Sequence, residues 1–579
     1  MLFPQLNACR ETTSLDGLWD FRFQWPSDQP EGWENGFVPE HLMAVPASFN
    51  DLLTRPEQRN HWGYVWYART FETPQSWRGR RVVLRIGSAN YSADAWLNGK
   101  HLGFHETGYT PFEFEVTSDL TDGPNRLVVR ISTRLTKDTV PQGEVDPQGI
   151  AGWGANYPPG NFDFFTYSGI HRSVVLYATA PEHLDRILID THDQGQDALV
   201  AFRIRACGGD QVRVTLQETG QSITTPVTGQ ETVVQLVVTN PRRWDIGQPE
   251  LYHACVELLR NGAVVDRYTE HFGIRTIAIE GSKVLLNGKP VYFKGFGKHE
   301  DFFLTGKAQN AAVNVRDFEL LKWIGANSFR TSHYPYAEEI LDMADRLGVL
   351  VISESPAVTI VPDKATEKTL ATHCAVQQEY MLRDYNHPCV VMWCVANEPI
   401  SHQASARPYF QKVVAVAKAV DARRPIMYVT CFGDRDVCLD LVDVVGLNCY
   451  PGWYWGGGVP FEQTMQWFQD FLTTMKGRIG NRPVVMTEFG GDAMAGLHNL
   501  PGELWTEEYQ GELLQQMIAV LRRNDFICGE HVWSFSDFRT GQNYTRAYGN
   551  RKGVFTRDRQ PKMAAHQLRA IWQADGKTA

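Results

Sequence analysis

The run Val390–Pro399, VVMWCVANEP, holds seven apolar residues in succession before Asn397, Glu398 and Pro399. A short continuous apolar run closed by a turn residue reads as a strand buried on both faces, as in a parallel sheet. Its polar end places Asn397 and Glu398 where such a strand leaves the core. Similar runs recur on either side: Tyr292–Gly297, Ser328–Ser332 and Val349–Glu354 before it; Ile426–Thr430, Val442–Asn448, Val484–Glu488 and Glu530–Ser534 after it. Between them lie amphipathic stretches, Tyr336–Leu347, Pro408–Ala422 and Glu507–Arg522. In the first, Ile340, Leu341, Ala344 and Leu347 share one helical face. Eight strands alternating with helices predict a (β/α)8 TIM barrel over residues 278–579. A doubly wound open sheet would open on a Gly-rich turn, which is absent. The Gly456–Gly458 run lacks a P-loop lysine and reads as a loop.

Upstream the texture is β. Arg81–Ile86, Ser92–Leu97, Phe112–Val116 and Arg126–Ile131 are short apolar-rich runs, and Asn98-Gly99 is a two-residue hairpin turn. They predict a jelly-roll-like sandwich over residues 1–179. Val212–Leu216, Thr232–Val238, Ala254–Leu259 and Ala263–Tyr268 follow, with Asn261-Gly262 as a second hairpin turn. Residues 180–277 therefore have the size and pattern of an immunoglobulin-like sandwich. The expected fold is multidomain, β plus α/β.

Composition narrows the function. The 579 residues carry 56 Lys+Arg against 66 Asp+Glu, so no basic footprint for nucleic acid is present. No run of 18 apolar residues occurs, and Met1–Asp16 has no apolar stretch after a basic start, so neither membrane span nor signal peptide is expected. The ten cysteines form no C-x-x-C pair and no Cys/His set with zinc spacing. They read as reduced thiols in a cytoplasmic protein. No metal or cofactor is implied. The 17 Trp fit β cores, with a remainder suited to the apolar faces of sugars.

In such barrels the active site lies at the C-terminal ends of the strands. Those ends hold Lys298 to Asp301, Arg330, His333, Glu354, Asn397, Glu398, Asn448, Tyr450, Glu488 and Trp533. Glu398 and Glu488 each close an apolar run that the barrel buries, so neither reads as an ordinary surface charge. Two carboxylates facing across the mouth suit glycoside cleavage, in which one protonates the leaving oxygen and the other attacks or supports the anomeric carbon. Just past the last strand, Asn550 and Lys552 form an N-x-K pair that can converge on a substrate carboxylate, with Arg546 close by.

Phe296–Asp301 (FGKHED), Ser328–Tyr336 (SFRTSHYPY), Val390–Pro399 and Gly549–Arg559 (GNRKGVFTRDR) resemble glycoside hydrolase family 2. The order of jelly roll, immunoglobulin-like sandwich and barrel matches that family along essentially the whole chain. Within it, the resemblance is to members that cleave β-D-glucuronides. It implies a retaining exo-hydrolase with Glu398 as general acid/base and Glu488 as nucleophile. Asn397 then holds the sugar 2-hydroxyl. Asp163, in Asn161–Tyr167 (NFDFFTY), reaches from the first domain to sugar hydroxyls. His333, Asn448, Tyr450 and Tyr454 line the site, with Tyr450 orienting Glu488, and Trp533 forms its floor. Asn550 and Lys552 read the uronic carboxylate, assisted by Arg546; His299 and Glu354 are weaker candidates. The resemblance also implies a homotetramer or homodimer. The connector Val358–Gln377 is short, which implies an open entrance for the aglycone. The open alternatives are a β-galacturonidase or β-galactosidase of the same family, and a carbohydrate-binding protein without activity. The presence of both glutamates disfavours the last.

Overall fold

A computed structural model describes residues 1–143 and 162–574. Its eight closing strands are β1 (Phe293–Lys298), β2 (Ser328–Thr331), β3 (Leu350–Glu354), β4 (Val390–Asn397), β5 (Ile426–Thr430), β6 (Val444–Asn448), β7 (Val484–Glu488) and β8 (Ile527–Trp533). Every neighbouring pair is parallel, and β8 returns to pair with β1. Strands β2 to β8 are buried at every residue, which is why they read as apolar runs without alternation. Outside them pack α1 (Ala311–Ile324), α2 (Glu338–Leu347), α3 (Glu367–Arg383), α4 (Ala406–Val420), α5 (Phe461–Ile479), α6 (Glu507–Leu521) and α7 (Met563–Ala574).

Three departures from the expected elements have local causes. β8 begins at Ile527 rather than Glu530, because Gly529 breaks the apolar signature while admitting Phe293, whose Cβ would stand 2.7 Å from an added Cβ. β6 begins at Val444: the Asp443 carboxylate accepts from the Ile426 amide at 2.9 Å, and Leu439–Leu441 form a 3-10 turn. Between β5 and β6 that turn and Gly433–Arg435 replace a full helix. The segment Val358–Gln377 is no free connector. Thr366 caps α3 with its side chain, so the second half of the segment is helix. Val358, Ile360 and Val361 are buried.

The first β unit is a sandwich of a four-stranded and a six-stranded sheet, with Trp19, Phe21, Phe23, Phe49, Tyr67 and Leu84 in its core. The second packs a three-stranded on a four-stranded sheet. Thr232–Thr239 alternates strictly between buried and exposed, as one covered face requires. Asn98 and Gly99, and Asn261 and Gly262, all have positive φ, the backbone of a type I′ hairpin turn.

Buried ion pairs fasten the first sandwich to the barrel. Asp51 meets Arg557 at 2.6 Å and Arg539 at 2.5 Å, and Arg85 meets Glu338 at 2.6 Å. Asp301 and Asp317 extend the first set through Arg557 and Arg559. The segment after residue 161, whose first residue Asn161 lies outside the described residues, is tied to this joint. Tyr167 Oη donates to Asp51 at 2.9 Å, and the Phe165 amide donates to the Arg539 carbonyl at 2.9 Å.

Candidate active site

The C-terminal ends of the barrel strands converge on two glutamates. Glu398 follows β4 with φ of 47°, a left-handed backbone that costs a β-carbon residue free energy. Its amide donates to the Val429 carbonyl at 2.9 Å, which pins that turn. Asn448, at the end of β6, donates to Glu398 Oε1 at 2.7 Å and to Asn397 Oδ1 at 3.2 Å. Burial, and then the nearby Glu488 charge, push the Glu398 carboxyl up to about 8.

Glu488, at the end of β7, sits between donors. Arg330 Nη2 reaches Oε1 at 2.5 Å and Tyr450 Oη reaches Oε2 at 2.5 Å. Arg330 is fully buried and spans the site: its other terminal nitrogen contacts Glu354 at 2.5 Å and Asn397 Oδ1 at 3.4 Å. His333 Nδ1 lies 2.8 Å from Glu354, and its Nε2 lies 3.8 Å from Glu488. Burial raises the Glu354 carboxyl, but Arg330 and His333 outweigh it and hold it below the usual range.

Aromatic faces complete the wall. Trp533, ending β8, stacks on His333 with ring centroids 5.1 Å apart. His299 packs edge-on to Trp533 and donates or accepts at Nδ1 with Tyr334 Oη, 3.0 Å away. Its buried Nε2 has no partner among the described residues. Burial, then His333, hold its pKa well below the ordinary histidine value.

A second cluster lies at the same mouth. Asp163, from the first sandwich, accepts from Arg546 Nε at 2.9 Å and Nη2 at 2.7 Å, and from Asn550 Nδ2 at 2.9 Å. Tyr454 Oη accepts from Arg546 at 2.7 Å and from Lys552 Nζ at 2.9 Å. Lys552 also meets Asp492 at 2.5 Å, and both side chains are wholly buried. Burial brings the Lys552 ammonium down to about 8, although Asp492 opposes the shift.

All twelve expected site residues thus fall into two adjoining networks: Glu398, Glu488, Asn397, Asn448, Tyr450, His333 and Trp533 in one; Asp163, Tyr454, Arg546, Asn550 and Lys552 in the other. The N-x-K pair is not the free donor pair the sequence leads one to expect, because Asp163 and Asp492 already engage it. Asp492 escapes sequence reading, since its partner stands 60 residues away and only a Gly-Gly turn precedes it. Arg330 is visible only as one strand-end charge among several. Among the described residues, the rim holds no cluster of His, Cys, Asp and Glu atoms that could hold a metal ion.

Comparison with known proteins agrees with this architecture. Residues 277–574 match the TIM barrel domain of glycosyl hydrolases family 2, residues 12–180 its sugar binding domain, and residues 182–275 a third segment of that family. A β-glucuronidase of Paenibacillus borealis is 42% identical over 605 aligned residues, covering 100% of this chain and 99% of that protein. A β-glucuronidase of Rattus norvegicus is 40% identical, covering 100% of this chain and 93% of the other. The structure of a Ruminococcus gnavus β-glucuronidase in complex with D-glucaro-δ-lactam superposes with a TM-score of 0.92 at 39% identity, over 99% of each chain. With the family pattern matched from Thr12 to Ala574 and the barrel carrying two facing glutamates, the chain belongs to glycoside hydrolase family 2.

Proposed function

We propose that this protein is a retaining exo-β-D-glucuronidase, hydrolysing β-D-glucuronides to D-glucuronate and an alcohol. The observation that carries the reading is the unequal environment of the two glutamates beside a cationic cluster. Glu398, with its carboxyl raised to about 8, holds a proton at neutral pH and can give it to the glycosidic oxygen. Glu488, between Arg330 and Tyr450, is positioned to attack C1 as a carboxylate and form a glycosyl-enzyme. Once Glu398 has lost its proton it serves as base for the water that releases the sugar. Asn397, beside Asn448 and Arg330, is placed for the 2-hydroxyl.

Selection of a uronic acid follows from Lys552. An ammonium has three N–H groups, of which Tyr454 and Asp492 take two. The third remains for an incoming carboxylate, and a charge-assisted bond in a buried place is among the stronger ones. The relatives named β-glucuronidase support the same substrate. The ten cysteines are all unpaired, which supports a reducing, cytoplasmic setting. An assembly of two or four copies belongs to the same reading and is checked by light scattering.

The deciding experiment follows the first-formed anomer by proton NMR while a chromogenic β-glucuronide turns over beside the β-galacturonide, β-galactoside and β-glucoside. β-Glucuronate as first product and preference for the glucuronide are expected. An α first product overturns the retaining assignment, and preference for the galacturonide overturns the sugar.

A further inference from the structure

Away from the mouth, four ligand-type side chains meet where the second sandwich touches the barrel. His271 comes from the strand Ala263–Phe272, Asp342 and Asp345 from one face of α2, and His387 from the connection into β4. Their ligand atoms all lie within 4.8 Å of one another. His271 Nε2 stands 3.0 Å from Asp345 Oδ2 and 3.4 Å from Asp342 Oδ1; His387 Nδ1 stands 2.5 Å and 4.0 Å from the same two atoms. These spacings bracket the edge of about 3.3 Å expected for a tetrahedron whose corners lie about 2.0 Å from a zinc ion.

Hydrogen bonding ties the two imidazoles to Asp345 and not to Asp342. Each facing ring nitrogen can donate a single proton, and both are directed at Asp345 Oδ2. The other Asp345 oxygen accepts from the Cys389 amide at 2.9 Å, which fixes the carboxylate. Asp342 Oδ1 is thus turned toward a second carboxylate, and neither ring proton is directed at it. A divalent cation at the centre removes that repulsion and gives all four atoms a partner. Two imidazoles and two carboxylates form a neutral N2O2 set for zinc. Asp342 is 37% exposed, which provides the entry path.

We propose that His271, Asp342, Asp345 and His387 form a zinc site that clips the second sandwich to the N-terminal face of the barrel. That face is opposite the catalytic mouth, so the clip is structural. The ring nitrogens bind as neutral donors, and binding releases the protons they carry. Its ligands come from three separate segments, which is why no sequence spacing announces it.

The test titrates chelator-treated full-length protein with Zn2+ by calorimetry and with Co2+ by visible absorption. One equivalent per chain is expected, with tetrahedral Co2+ d–d bands and no thiolate-to-cobalt charge transfer. Zinc should raise the thermal midpoint by several degrees. Affinity should fall at least tenfold in Asp342→Asn and in His271→Gln, with glycoside turnover unchanged in both. Among the described residues the Asp342 side chain contacts only His271 and His387 by ion pairing and is 37% exposed, so Asp342→Asn should keep the variant folded. No equivalent bound, a thiolate band, or unchanged affinity in both variants overturns the site.

Discussion

On the proposed mechanism Glu398 and Glu488 carry the chemistry unequally, and their substitution should separate the two roles. Glu488→Ala should abolish turnover, since no other group would replace the proposed nucleophile. Glu398→Ala slows both steps, yet with an activated leaving group the glycosyl-enzyme accumulates, because hydrolysis needs the base more than departure needs the acid. Added azide then yields a glycosyl azide of retained configuration, seen by NMR; an inverted azide contradicts the assignment. The pH dependence follows from the same residue. With Glu398 near 8, kcat/KM for a β-glucuronide falls as pH rises through that value. Lys552, also near 8, adds to that limb for glucuronides but not for the uncharged β-glucoside. The limb should therefore be steeper for the glucuronide. Stability moves with the same proton. Native Glu398 keeps it between about 4.3 and 8, where the unfolded chain has released it. That contribution is present at low pH and lost as pH rises through 8, so the gain in thermal midpoint from Glu398→Gln grows from pH 5 to 8. Lys552→Ala should lower kcat/KM for the glucuronide by roughly two orders of magnitude, since a charge-assisted bond is worth about 1.5–3 kcal/mol and its loss strands the substrate carboxylate. Equal loss on the β-glucoside would make the loop structural. Both glutamates are legible in sequence because an acid ending an apolar run is unusual. Asp492 is not, because its meaning depends on Lys552 folding back beside it.

At the scale of elements, the barrel strands announce themselves through burial on both faces, and their ends through the polar residue that stops each run. The imprecision lies where packing, not pattern, sets the boundary, as at Gly529 and Asp443. β1 shows the same point inside a strand. Gly297 is a glycine because the Trp533 ring crosses it: an added Cβ would lie 2.5 Å from Trp533 Cε3 and 3.2 Å from Ser332 Oγ. Gly297→Ala should displace that ring from His333 and reduce kcat/KM at least tenfold, while far-UV circular dichroism stays that of the wild type. A variant of full activity would show that the ring position does not matter to catalysis. Before the cap of α3, Val358, Ile360 and Val361 are buried, and the Thr359 amide donates to the Asn397 carbonyl at 2.9 Å.

At the scale of the whole molecule, the order of two sandwiches and a barrel is readable from hairpin turns and changing periodicity, but the joints between them are not. They depend on charges far apart in sequence, such as Asp51 with Arg539 and Arg557. Removing one partner of a buried pair leaves the others uncompensated, so Asp51→Ala should cost about 3–5 kcal/mol. Because Tyr167 and Phe165 hang on that joint, activity should decay on warming before the barrel ellipticity melts; coincident loss of both signals would count against a separable joint. The contact of Asp163 with Arg546 joins residues 383 apart in the chain. A ribosome delivers the first long before the second, and the stretch with Arg546, Asn550 and Lys552 follows all eight barrel strands. The Asp163 cluster therefore cannot close on a nascent chain that has not yet passed Lys552: order of synthesis acts as a latch, shut only when segments 383 residues apart have found each other.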